Sequence, residues 1–144
     1  MPETLEEIAR RICANADFTA KPVTFYAIYD RYFSGLSDRA ITLLELGVYT
    51  GESLKVWASY FRHGTIIGVD IEESAADFSG YPNIVFELGD QANQDRLREI
   101  LRIHAADGVD IIVDDASHIG LNSLASYEIL FPYLKPGGLY IIED

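Results

Sequence analysis

Residues 111–120 read IIVDDASHIG. The first three residues are apolar and form the core of a strand, which runs directly into Asp114 and Asp115, with His118 three residues further on. A strand covered on both faces has no use for these groups, because burying a charge without a partner is costly. The stretch therefore predicts a buried strand that ends at a functional site.

The end of the chain repeats this pattern, since its last run, GLYIIED, finishes in Glu143 and Asp144. Apolar runs of strand length recur along the chain and alternate with segments of helical periodicity, which is typical of βαβ units and a parallel sheet. The predicted strands are ITLLELGV (41–48), TIIGVDI (65–71), NIVFELG (83–89), VDIIVDD (109–115) and GLYIIED (138–144).

Helices are predicted within 3–16 and 23–33, at 52–61 and 93–105, and at 121–134, where KPGG (135–138) is expected to end the last one. The link at 72–82 has room for a short helix. Such crossovers are right-handed, so we expect an α/β fold with a doubly wound, mostly parallel sheet in which strand four lies beside strand one. The chain divides into a helical segment, 1–38, and an α/β domain, 39–144.

Acidic residues follow the predicted strands with a regularity that random placement does not produce. In open parallel sheets, ligands bind beyond the carboxyl ends of the strands. The acids at or just beyond the five strand ends are Glu45, Asp70, Asp90, Asp115 and Asp144.

Composition narrows the possible partners. A chain of 144 residues with 49% hydrophobic residues fits one globular domain, and its formal charge of −12 argues against nucleic acid, whose backbone needs a basic face. No apolar run reaches the roughly 18 residues of a membrane span. The charged N-terminus lacks the apolar stretch of a secretory signal, and the single cysteine, Cys13, makes no internal disulfide, so a cytoplasmic location is expected.

The turn after the first strand, LLELGVYTGES, has the pattern E-x-G-x-x-x-G formed by Glu45, Gly47 and Gly51. It lacks the G-x-G-x-x-G of dinucleotide sites, and Glu52 at the helix start opposes a pyrophosphate. Glu45 suits an ammonium or sulfonium group, and Asp70 suits the two hydroxyls of a ribose. This combination favours S-adenosylmethionine, while a tight turn followed by a solvated acid remains the alternative.

The stretches LLELGVYTGESLKVW, GVDI, GDQAN, DDASH and PGGLYIIED together resemble class I S-adenosylmethionine-dependent methyltransferases. The metal-dependent sugar O-methyltransferases of macrolide biosynthesis are the most similar group, with cephalosporin hydroxylase-like proteins beside them. The resemblance covers about residues 19–144. In that family the fold continues past the fifth strand, so the chain looks truncated there and is expected to be inactive by itself and prone to form a homo-oligomer.

The resemblance implies a role for each candidate site residue. Asp70 binds the ribose, Asp90 and Gln91 lie near the adenine, and His118 is the catalytic base. The methionine end is surrounded by Glu45, Gly47 and Asp114. Thr19 and Lys21 resemble part of a family T-D-K element, but Ala20 replaces its acid, so no role is predicted for them.

Asp115, Glu143 and Asp144 match the family's magnesium ligands, and their chemistry supports the match. Three carboxylates brought together repel one another unless a cation joins them, and oxygen ligands favour Mg²⁺ or Mn²⁺ over zinc. A frayed acidic terminus is the alternative. The sequence thus predicts a Mg²⁺-dependent O-methyltransferase acting on a sugar or other vicinal-diol hydroxyl of a small molecule. A hydroxylase-like enzyme on the same scaffold and a non-catalytic S-adenosylmethionine-binding fragment remain alternatives.

Overall fold

Five strands form one sheet in the order β3-β2-β1-β4-β5, and every neighbouring pair is parallel. The computed structural model describes residues 3–14 and 21–143. The strands are β1 Thr42–Leu46, β2 Thr65–Asp70, β3 Ile84–Leu88, β4 Val109–Asp114 and β5 Leu134–Ile142. The order places β4 between β1 and β5, as predicted, so the ends of these three strands lie side by side.

The helices follow the predicted segments closely. They are α1 Leu5–Cys13, α2 Val23–Phe33, α3 Glu52–Tyr60, α4 Gln94–His104 and α5 Gly120–Leu130, with a 3₁₀ turn at Phe131–Tyr133. Two begin at side-chain caps, where Thr4 accepts from the Glu7 amide and Asn93 accepts from the Arg96 amide. No described helix is long and apolar enough to cross a membrane.

Both faces of the sheet are covered, because alternate side chains of each strand enter different cores. Leu43 on β1 packs in the core beneath α1, α2 and α3, while its neighbour Leu44 packs in the core beneath α4 and α5. Trp57 on α3 contacts the aromatic rings of α2, which joins the N-terminal helices to the sheet. The doubly wound α/β fold is therefore confirmed, whereas the division of the chain at residue 38 stays a prediction.

Two local predictions were wrong. KPGG lies inside β5 instead of before it, and the pairing with β4 shifts there, from Val109↔Leu134 to Ile111↔Leu139. Gly137, at φ 78°, accommodates the irregularity. The link between β2 and β3 contains bends, turns and irregular backbone, and the short helix for which it had room does not form.

Candidate functional site

Two adjoining cavities open at the carboxyl edge of the sheet. The first, of about 420 Å³, lies between α2 and the turn after β1, and we call it the α2 cavity. The second, of about 360 Å³, lies across the ends of β1, β2 and β4, and we call it the sheet-edge cavity. Gly47, Tyr49, Asp115 and Ala116 line both of them. A ligand lying across this shared wall has access to the residues of both cavities.

The turn after β1 is shaped by its close approach to β4. Gly47 has a φ of 85°, and a Cβ at this position would lie 2.2 Å from the carbonyl oxygen of Asp115. Tyr49 also has a positive φ, 47°, a backbone conformation that residues other than glycine rarely adopt. The turn is thus tightly bent, and glycine at position 47 allows the backbone after β4 to approach it closely.

Asp70 holds this turn in place from the end of β2. One of its oxygens accepts from the amides of Val48 at 2.7 Å and Tyr49 at 3.0 Å, and the other accepts from Glu72 at 3.1 Å. Burial alone would raise the pKa of Asp70, but these amide donors outweigh it and lower that pKa. Asp70 lines the sheet-edge cavity as an ionised carboxylate that already accepts from the turn amides.

Asp90 and Gln91 line the same cavity, and they differ in what they offer. Asp90 is exposed and accepts from the Ala92 amide at 2.8 Å. The Gln91 side chain is buried; its amide nitrogen donates to Asp114, and its oxygen accepts from the Ser117 amide at 3.0 Å. Gln91 therefore ties the loop after β3 to the loop after β4, and its polar atoms are already engaged.

Three residues predicted to surround the ligand lie behind the cavity walls. Asp114 is buried and accepts from Ser126 Oγ at 2.8 Å. Gly51, at φ 85°, packs its Cα against Ala76 and Phe78, so a side chain there would clash. Asp114, Gly51 and Glu45 are enclosed by protein groups. They therefore support the cavity walls from behind and do not line them.

Glu45 is fully buried beneath the turn. Its carboxylate accepts from Ser53 Oγ at 2.7 Å and forms an ion pair with Lys21 Nζ at 3.4 Å. Burial raises the pKa of Glu45, although the Lys21 ammonium opposes the shift. The carboxylate therefore contacts the protein's own cation where a ligand's ammonium or sulfonium was expected.

The acids at the ends of β4 and β5 converge on that same ammonium. Asp115 Oδ2 lies 3.3 Å from Lys21 Nζ, and Glu143 Oε1 contacts both Lys21 Nζ and the hydroxyl of Tyr29. Burial raises the pKa of Asp115, with Lys21 opposing the shift. The strand-end acids do meet, as the topology predicts, and they meet around a lysine.

Lys21 is the residue at the centre of these contacts, and the sequence analysis assigned it no role. It is 6% exposed, and its ammonium lies 5.4 Å from the centre of the Tyr29 ring and 5.6 Å from that of Trp57. Burial alone would lower the pKa of Lys21, but the three carboxylates outweigh it and raise that pKa. The incomplete T-D-K element was the one signal in the sequence that pointed to this residue.

Two of the three predicted metal ligands come together in the structure and offer the oxygen donors that a hard divalent cation prefers. Asp115 and Glu143 reach one positive charge, so they lie close enough to share an ion, and their oxygen donors are those that Mg²⁺ prefers. Asp144, the third predicted ligand, lies outside the described residues. Within the described part of the chain, no cluster of three His, Cys, Asp or Glu residues is arranged to hold a metal.

His118 follows β4 on a strained turn, with a φ of 54°, and lines the α2 cavity. Its Nδ1 lies 3.2 Å from the carbonyl oxygen of Glu143, which only accepts, so Nδ1 carries the proton in the neutral ring. This assignment leaves Nε2 as the basic nitrogen, 3.6 Å from Asp115 Oδ1. The geometry therefore leaves Nε2 as the nitrogen that can accept a proton in the α2 cavity.

Comparison with known proteins gives one family for most of the chain. The family model described as "Methyltransferase domain" matches residues 44–144. The chain is 37% identical to the 8-demethyl-8-alpha-L-rhamnosyl tetracenomycin-C 2'-O-methyltransferase of Streptomyces olivaceus, over 84% of this chain and 33% of that protein. It is 38% identical to the mycinamicin VI 2''-O-methyltransferase of Micromonospora griseorubida, over 81% of this chain and 30% of that protein.

A similar structure is that of the MycE methyltransferase from the mycinamycin biosynthetic pathway, in complex with Mg, SAH and mycinamycin VI. It superposes with a TM-score of 0.82 at 33% identity, over 99% of this chain and 39% of that one. The chain thus spans about a third of the length of the curated relatives named above.

Proposed function

The chain belongs to the methyltransferase domain family, and on that premise we propose that it carries an S-adenosylmethionine-dependent, Mg²⁺-dependent O-methyltransferase activity on a sugar or other vicinal-diol hydroxyl of a natural product. One observation carries the proposal. The sheet-edge cavity, with Asp70, and the α2 cavity, with His118 and Glu143, share a wall, so a cofactor in one cavity borders an acceptor in the other.

The adenosine part of the cofactor is proposed to occupy the sheet-edge cavity. Asp70 accepts a ribose hydroxyl there, and Asp90 with Gln91 borders the adenine. Gly47 allows the methionine part to cross the shared wall, while Glu45, Gly51 and Asp114 hold that wall from behind. The SAH bound in the similar MycE structure supports a cofactor of this class.

The metal is proposed to bind at Asp115, Glu143 and Asp144, beside the α2 cavity. The shared cationic partner of Asp115 and Glu143 supports this assignment, and the Mg in the MycE complex supports the choice of metal. A divalent ion held by these carboxylates would lower the pKa of an acceptor hydroxyl beside it, and S-adenosylmethionine would supply the methyl group.

The protein's own residues position and deprotonate the acceptor. His118 Nε2 takes the proton of the acceptor hydroxyl, and its Nδ1–H remains bonded to the Glu143 carbonyl. Asp115 stabilises the imidazolium that forms. The acceptor oxygen then attacks the methyl carbon, and the bond between that carbon and the sulfur breaks.

The acceptor is proposed to be a glycosylated small molecule. The relatives are named for O-methylation of a rhamnosyl tetracenomycin and of mycinamicin VI, and these names support a sugar hydroxyl as the target. The formal charge of −12 disfavours nucleic acid as a partner. We further propose that the protein is cytoplasmic, has no membrane partner and can form a homo-oligomer.

The ribose contact provides the direct test. Asp70→Asn keeps an acceptor for the turn amides and loses the carboxylate, so we expect its affinity for S-adenosylhomocysteine in calorimetry to fall by about 1.5–3 kcal/mol. An analogue without ribose hydroxyls should bind both proteins equally. Asp95→Asn, whose side chain is 99% exposed, is the matched control. An equal loss for both ligands would show that Asp70 acts only on the turn.

A further inference from the structure

A single buried ammonium occupies the position where the acids of three strands meet. Lys21 Nζ contacts Glu45 of β1 at 3.4 Å, Asp115 after β4 at 3.3 Å, and Glu143 after β5. The side chain of Lys21 is 4% exposed, and those of the three acids are 0%, 19% and 11% exposed. Solvent therefore screens this cluster weakly, and its charges act on one another strongly.

The two carboxylates proposed to bind the metal are the same two that Lys21 neutralises. Three carboxylates surround one ammonium, so the cluster keeps an excess of negative charge that attracts a further cation. A divalent ion between Asp115 and Glu143 would meet the ammonium at close range, because both carboxylates contact Nζ directly. Two cations cannot share these oxygens without strong repulsion.

We propose that Lys21 is a built-in competitor of the divalent cation, an inference that rests on the metal site of the proposed function. Without metal, its ammonium holds Asp115 and Glu143 together. When the ion binds, the ammonium leaves these two and stays with Glu45. Glu45 is buried on the far side, and the rings of Tyr29 and Trp57 accommodate the charge there.

Because of this competition, the affinity for the metal is lower than the affinity that the same carboxylates would have without Lys21. It also keeps the carboxyl ends of β4 and β5 assembled in metal-free protein, since Lys21 connects the N-terminal segment to both. A lysine that served only to neutralise the buried Glu45 would leave metal binding unaffected by its removal. The two roles therefore differ in a measurable way.

The experiment is a titration of the 144-residue chain with Mn²⁺ alone, followed by electron paramagnetic resonance and calorimetry. Lys21→Met is expected to bind Mn²⁺ about tenfold or more tightly than the wild type, because one positive charge close to the ion is removed. Lys135→Met is the matched control, since Lys135 pairs with Asp110 at 2.9 Å, away from the proposed ligands. Asp115→Asn should abolish binding in both backgrounds.

Thermal unfolding supplies a second readout. Metal-free Lys21→Met should unfold at a lower temperature than the wild type, and Mn²⁺ should restore more of the loss than it adds to the wild type. If Lys21→Met does not fold, Lys21→Met combined with Glu45→Gln removes the unpaired buried charge and keeps the Ser53 contact.

The failures of the two proposals are distinguishable. Equal or weaker Mn²⁺ affinity in the Lys21 variants, with binding by the wild type, overturns the competition and leaves the metal site standing. If the Lys21 variants bind Mn²⁺ and the wild type does not, Lys21 excludes the ion completely, which supports the competition. No binding by any protein overturns the metal site, and the competition with it.

Discussion

At the scale of single residues, backbone strain is concentrated around the α2 cavity and the sheet-edge cavity. Tyr49 and His118 have φ values of 47° and 54°, and they are the non-glycine residues with positive φ in the described part of the chain. Conformations of this kind cost free energy and persist where surrounding contacts enforce them. Here they bend two loops toward the shared wall of the cavities, where the acceptor and the cofactor are proposed to meet.

Gly47→Ala tests how closely the two loops must approach. The new Cβ would lie 2.2 Å from the Asp115 carbonyl oxygen at a φ of 85°, so the turn after β1 must move away from β4. We expect a loss of stability of more than about 1 kcal/mol and a loss of S-adenosylhomocysteine binding, measured by urea unfolding and calorimetry. Gly35→Ala is the control, since its Cβ meets no atom within 4 Å, and it should leave both unchanged.

His118→Ala tests the proposed base. Introduced into the full-length protein, the substitution should lower turnover about 10²–10⁴-fold and leave the affinity for S-adenosylhomocysteine unchanged, because the imidazole acts on the acceptor. Initial rates with methyl-labelled S-adenosylmethionine and a glycoside acceptor measure the change, and His63→Ala, on an exposed turn, is the control. A parallel loss of folding stability and turnover would indicate a structural histidine, and turnover without transfer of the label would favour the hydroxylase-like alternative.

The strand-end acids could be predicted from the sequence because a parallel sheet brings all carboxyl ends to one edge. Which atoms they contact could not be predicted. Lys21 meets Glu143 across 122 residues of sequence, and no periodicity reports such a contact. The same limit applies to Glu45 and Asp114, whose burial depends on how α2 and α5 pack over the strand ends.

At the scale of elements, periodicity located the helices and strands well. It failed at KPGG, because an edge strand tolerates the proline and glycines that would end a helix. Val23–Phe33 was predicted in full. Pro136 and Gly137 end a helix, but β5 is an edge strand, where a missing amide donor and a bulge cost little. Interpreting KPGG as a boundary therefore placed the end of α5 at residue 134, four residues beyond Leu130, and the start of β5 at residue 138, four residues after Leu134.

Glu87→Gln tests the connection between β3 and α4. Glu87 accepts from Arg96 Nη2 at 2.5 Å and lies 2.6 Å from His104 Nε2. The hydrogen bond with His104, followed by that with Arg96, lowers the pKa of Glu87. Its partly exposed ion pairs should contribute about 0.2–1 kcal/mol, and the substitution should remove this contribution at neutral pH.

The sign of the pH dependence follows from the lowered pKa. The contribution of Glu87 is present above the unfolded-state pKa of about 4.5 and is lost as the pH falls through the lower pKa of the folded state. Urea unfolding from pH 7 to pH 3 should therefore show the wild type and Glu87→Gln converging in acid. Glu128→Gln, on the exposed side of α5, is the control. A difference that grows toward acid pH would contradict the assignment.

At the scale of the whole molecule, an apolar surface lies beside the open edge of β5. Leu121 and Leu124 on α5 are 79% and 52% exposed, and Ile142 at the end of β5 is 49% exposed. An edge strand presents unpaired backbone groups, and a neighbouring apolar patch favours contact with another protein surface. In the 144-residue chain, a second copy is available to cover it, most simply through a two-fold contact.

We expect the chain to self-associate weakly, with an apparent mass that rises with concentration in light scattering. The acidic end of β5, with Glu143 and Asp144, opposes close approach of two copies, so a concentration-dependent dimer is expected instead of a tight one. Leu121→Lys combined with Leu124→Lys should lower the apparent mass toward that of the monomer at every concentration, because two charges then face the contact between the two copies. Ile103→Lys, at a site 52% exposed on α4, should leave it unchanged. A strictly monomeric wild-type chain across the whole range would show that this edge does not mediate association.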